Sequence, residues 1–194
     1  IDTKTPEPPL PKNIFFIHKL LKKTIDFFIN PQYNKEKRKK VATMFTNKVF
    51  IELNNCVNNF VKQFFEDYQA EIGLECECFL DDCLIQYAIV ATEKEEEEFY
   101  NNFVKRFPQA KNFSTFTLSI LHEIGHLETE DIMIDDTEIR SKPLTNKQYF
   151  NLYNEKIATN WAGKWINENF EEAKKINETF IKLLDNVYNF IKNA

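Results

Sequence analysis

The chain has 194 residues, 43% of them hydrophobic, with 25 basic and 30 acidic side chains and a formal net charge of -5. That length suits one compact domain with a sizeable core, and the acidic balance argues against nucleic acid as the main partner. Only 3 glycines against 19 phenylalanines disfavour a turn-rich all-β fold and point to helices.

In chain order, residues 1–12 hold four of the seven prolines and read as an extended tail or linker. Ile14, Ile17, Leu21, Ile25 and Phe28 recur at helical spacing over 13–30, and Asn30-Pro31 breaks the pattern. A longer helical pattern covers 35–68, with Val41, Phe45, Val49, Val57, Val61, Phe64 and Phe65 as its buried stripe. Residues 13–72 thus form an N-terminal helical segment, and 73–194 form the core of the protein. Over 74–91 the alternation of LECECFL, then the β-branched and aromatic CLIQYAIV, predicts a β-hairpin turning at Asp81-Asp82. Helices follow at 93–107, 114–128, 146–169 and 171–192, with Ser114 or Thr115 as N-cap of the second. A polar connector occupies 129–145. The basic run 35–40 and the Glu run near 95 read as solvated helix starts.

Cys56, Cys76, Cys78 and Cys83 read as reduced thiols of a cytoplasmic protein. Cys76 and Cys78 share one face of a strand and are poorly placed to bridge each other, and the cysteine spacing fits no standard zinc knuckle. No apolar run is long enough to span a bilayer, so no membrane is expected. No signal-peptide pattern opens the chain, although Ile1 in place of Met leaves a removed upstream segment open.

The chemistry lies in His122-Glu123-Ile124-Gly125-His126. On a helix, positions i and i+4 stand one turn apart on one face, so both imidazoles can reach one metal ion. Glu123 lies about 100° around the helix from His122, beside the ligands. There a carboxylate can act as general base on a water acidified by Zn2+. The helix is otherwise apolar, so the two histidines are expected to be buried, and buried imidazoles need partners.

A catalytic zinc needs a third protein ligand. Glu130 continues the same row, but its Cα stands about 12 Å from that of His122 along a straight helix and cannot share the ion. Thr129 and Ile132 replace the Gly and third His of the metzincin pattern, and His18 lies far upstream. Glu155 is the better candidate: Glu155, Ala158, Ala162 and Ile166 share a helical face, and the small alanines, with Gly125 opposite, allow close helix approach. Trp161 and Trp165 read as core or groove lining. Tyr149 and Tyr153 are near enough in sequence to supply an oxyanion stabiliser, though nothing singles out either.

HEIGH followed by Glu155-x-x-Ala158-x-x-Trp161-Ala162 resembles the small ImmA/IrrE-like zinc metallopeptidases of bacteria, phages and mobile elements, and Ser119, three residues before His122, fits as well. The resemblance covers about residues 113–168. It lacks the Leu-Met-Pro that often follows the second helix. It implies a minimal gluzincin: a small sheet beside the HExxH helix, then a helix bearing the ligand Glu, with selective cleavage of a protein partner such as a repressor. The expectation is therefore an α+β, mostly helical, zincin-like fold. His122, His126 and Glu155 would hold Zn2+, Glu123 would be the base, and a protein or peptide would be the substrate. The rival is a non-catalytic interaction protein of phage or mobile-element type that keeps a closed structural metal site, with Asp131, Asp135 or Asp136 as fourth ligand.

Overall fold

The computed structural model describes residues 47–73, 76–79, 82–88, 93–129 and 145–193. The tail at 1–12, the helix expected at 13–30 with His18, and connector residues 130–144 lie outside the described residues.

Helix α1 spans Lys48–Val61 and starts where the Asn47 side chain accepts a hydrogen bond from the Val49 N–H at 3.1 Å. Phe50, Leu53, Val57, Phe60 and Val61 form its buried stripe. The helix ends at Val61, short of the expected Tyr68, and Phe64 and Phe65 stay half-buried in the turns beyond it. The chain then enters strand β1, Gln69–Gly73, which helical periodicity did not predict. Its signal is a short alternation, with Ala70 buried between exposed Gln69 and Glu71, and the aromatic run before it extends the apparent helix.

The expected hairpin is present as β2, Glu77–Phe79, antiparallel to β3, Leu84–Ala88, with Cys78 opposite Ile85. Cys83 adopts φ 49° where the turn enters β3. On its other side β3 pairs in parallel with β1, giving the order β1-β3-β2. That leaves β1 at an edge. Asn58 of α1 covers it, donating to the Ala70 carbonyl at 2.7 Å and accepting from the Ala70 N–H at 2.6 Å.

Helix α2 runs over Glu93–Arg106, with Lys105 and Arg106 in its last turn as the dipole favours. A 3-10 segment, Pro108–Asn112, leads to α3, Thr115–Thr129. The helix expected across 146–169 is divided into a single turn at Asn146–Tyr149 and helix α4, Tyr153–Glu168. At the break Leu152 is extended (ψ 150°) and buried, and the Phe150 ring packs against Phe99 of α2 at 6.1 Å. Tertiary packing therefore overrides the helical pattern there. Helix α5 covers Phe170–Asn193. The protein is mostly helical with one small sheet, and the buried residues of all five helices and the sheet join one core. No helix among the described residues is long and apolar enough to cross a membrane.

The start of α3 is pinned from α5. Ser114 is the N-cap, its Oγ accepting from the Thr117 N–H at 3.2 Å. Buried Asn177 accepts from the Ser114 N–H at 2.8 Å and from the Thr117 hydroxyl at 2.9 Å. Asn177→Ala removes the acceptor of two inward-facing donors, at a cost of about 1–3 kcal/mol. The melting temperature should fall by roughly 2–12 °C in a chain of this size. A melt within one degree of wild type would show that this network carries no stability.

None of the four cysteines is in a disulfide, and each is half-buried. Burial, and then the nearby Glu52 carboxylate, push the Cys56 thiol up, which keeps it protonated.

Candidate metal centre

Among the described residues, the packing of α3 along α4 is the most extensive between two elements, and it sets the site. The approach is close because Gly125 of α3 has no side chain: a Cβ there would lie 2.6 Å from the carbonyl oxygen of Ala158 on α4. Gly163, one turn further along α4, leaves room for the ring of Phe107. The Phe99 ring stands edge-on to His122 at 5.7 Å and closes the α2 side.

One turn from the Gly125–Ala158 contact, the side chains of His122, His126 and Glu155 converge. They are 6%, 6% and 2% exposed. His122 Nε2 stands 3.2 Å from His126 Nε2 and 3.1 Å from Glu155 Oε2, and His126 Nε2 is 3.7 Å from the same oxygen. Among the described residues this is the only group of His, Cys, Asp or Glu donors that could hold a metal ion. The cysteines form no such group. Exposed Glu128 lies outside it; Glu130, Asp131, Asp135 and Asp136 lie outside the described residues.

The triangle has the dimensions of a coordination face. A tetrahedral ion with bonds of about 2.0–2.1 Å has ligand–ligand edges of about 3.3–3.4 Å. The observed edges of 3.1, 3.2 and 3.7 Å bracket that length. Two imidazoles and one carboxylate also form a donor set suited to a divalent cation of intermediate softness.

The electrostatics run the same way. Burial alone pushes the Glu155 carboxyl upward, but hydrogen bonding to His122 and His126 outweighs it and holds the group well below the usual carboxylate range. Glu155 also sits in the first turn of α4, where the helix dipole favours a negative charge, because the break at Phe150–Leu152 starts the helix just before it.

Glu123 follows His122 on α3 and is only 6% exposed, an unusual burial for a glutamate. It is not one of the three converging donors. Tyr149 and Tyr153 flank the break and are exposed. Trp161 and Trp165 lie on the other side of α4, packed edge-on against Phe64 at 5.7 and 5.6 Å, and line the contact with α1 and the turn after it. Periodicity did not reveal Thr159, whose hydroxyl lies 3.1 Å from His122 Nδ1. The available signal was a hydroxyl residue one helical turn after the candidate ligand Glu155. No family model, curated protein or solved structure matches the chain.

Proposed function

We propose that this protein is a zinc-dependent metallopeptidase that hydrolyses peptide bonds in a specific protein partner. The observation that carries the reading is the buried His122–His126–Glu155 triangle with tetrahedral spacing, with the buried carboxylate of Glu123 next to His122 in the chain. The small sheet, α3 and then α4 in chain order are the parts that support a zincin-like core. When bound, zinc supplies a Lewis acid that acidifies water and polarises a carbonyl. His122 and His126 would offer it imidazole nitrogens, and Glu155 would offer a carboxylate that its surroundings keep ionised. Glu123 accepts the proton of the attacking water and returns it to the leaving amine. The ImmA/IrrE-like pattern in the same residues is the basis for a narrow, protein substrate, and the unbridged cysteines are the basis for a cytoplasmic location.

The ligand assignment has a direct test. Protein purified without chelator should carry close to one zinc per chain by elemental analysis. Glu155→Ala should lose most of it, whereas Glu128→Ala, on the exposed end of α3, should keep it. Retention in Glu155→Ala together with loss in Glu128→Ala would show the third ligand to be misassigned.

A further inference from the structure

Helix α1 turns Phe50, Leu53, Val57, Phe60 and Val61 into the core, and a cavity of about 630 Å³ lies along its other side. Among the described residues, the lining runs along α1 from Lys48 to Gln63, two residues past the helix end, with Ile176 contributed by α5. Buried Phe60 and half-buried Cys56 and Ile176 make an apolar floor, and Ile51, 45% exposed, continues it toward the helix start. Glu52 and Asn55 are exposed and form part of a polar rim. An apolar floor with a polar rim, extended along a helix, fits the apolar stripe of a second, amphipathic helix.

We propose that residues 13–30 of this same chain dock in that groove, laying the stripe of Ile14, Ile17, Leu21, Ile25 and Phe28 along the outer side of α1. Those residues lie outside the described part of the chain, and three of its features single them out. The first is length. At 1.5 Å per residue, the stripe from Ile14 to Phe28 is about 21 Å long as a helix, and the groove from Lys48 to Gln63 is about 22 Å. The second is connection. Residues 31–46 return the chain to Asn47, the N-cap of α1, at the Lys48 end of the groove. Even wound as a helix, those sixteen residues span about 24 Å, so the segment can lie along α1 in either direction. The third is composition. Five apolar side chains at helical spacing need a surface to cover, whereas residues 35–46 offer the stripe only Val41 and Phe45. Docking there is independent of the metal, since no lining residue of the groove belongs to the donor triangle.

Cys56 provides the test, because it lies midway along the groove as Leu21 lies midway along the stripe. The two should meet whichever way the segment runs. In the full chain, Leu21→Cys should form a disulfide with Cys56 under mild air oxidation, located by peptide mapping of the monomer. Lys23→Cys, on the opposite side of the same helical pattern, should not. In a second measurement, Cys56 should be alkylated several-fold faster in Leu21→Glu than in wild type, while Lys23→Glu matches wild type. Ile17→Glu repeats the comparison should Leu21→Glu not stay soluble. Cross-linking that is equal from positions 21 and 23 reflects random collision and overturns the proposal. So does a disulfide found only in covalent dimers, which assigns the groove to a second copy. Cys56 that is alkylated equally in wild type and in both charge variants leaves the groove to another chain or to solvent, and that result overturns it too.

Discussion

Glu123→Gln should lower the rate of partner cleavage by about 10²–10⁴-fold, the usual contribution of a positioned general base, while zinc content and melting temperature stay at wild-type values. Glutamine is nearly the size of glutamate and can still hydrogen-bond to water, but it cannot accept a proton at neutral pH. Glu123 is buried next to His122 yet is not among the three donors, so the substitution leaves the triangle intact. The three possible roles predict different outcomes. A ligand role predicts zinc lost together with activity. A structural role predicts a lower melting temperature with little change in chemistry. A protein that acts by binding alone predicts full biological effect from the variant with zinc bound, and that result would falsify the proposed activity. A proteome-wide comparison of cleavage by wild type and Glu123→Gln would also identify the substrate.

His126→Ala should have the larger effect on the metal itself. Loss of an outer partner of a ligating histidine costs 10–100-fold in affinity, so removing the donor nitrogen should weaken zinc binding by more than about 100-fold. His126 closes two edges of the triangle, at 3.2 and 3.7 Å, and its removal leaves a pair of donors in place of a face. The surrounding core does not depend on the imidazole, since α3 presents Leu118, Ile120, Leu121, Ile124 and Leu127 to it as well. The variant should therefore keep wild-type far-ultraviolet circular dichroism in the absence of metal. Stoichiometric zinc in His126→Ala would show that the ion is held elsewhere.

The HEIGH helix was legible in the sequence because both of its signals are local: a continuous apolar run, and two histidines one turn apart. Glu155 could be found because its helix carries Ala158 and Ala162 on the same face, and α3 and α4 do approach closely there. The Ser114 cap and the hairpin of β2 and β3 also follow from neighbouring residues. What escaped depends on contacts distant in sequence. The helix pattern over 35–68 contained no hint that Asn58 would clasp Ala70, the contact that covers β1 as a sheet edge. The break before α4 arises because Leu152 is drawn into the interior and Phe150 packs on Phe99. The contact of Thr159 with His122 spans two helices and has no periodic signature.

Two of the three glycines in the chain lie inside α3 and α4, where each makes room for a neighbour. A glycine in a helix interior lowers helix stability by about 1 kcal/mol relative to alanine. These helices have 15 and 16 residues, close to the length below which an isolated helix is marginal in water, about 12–15 residues. Neither segment should hold its helical form as a free peptide; each acquires it by docking on the other. The donor triangle thus depends on the packing of the two helices, and α5 supports it through the Asn177 acceptor at the start of α3. Zinc fingers differ, with metal capture driving the folding of a chain too small to fold alone. Of the described elements, α5 is the last in chain order. A chain that stops before α5 lacks Asn177, the acceptor that holds the start of the histidine helix.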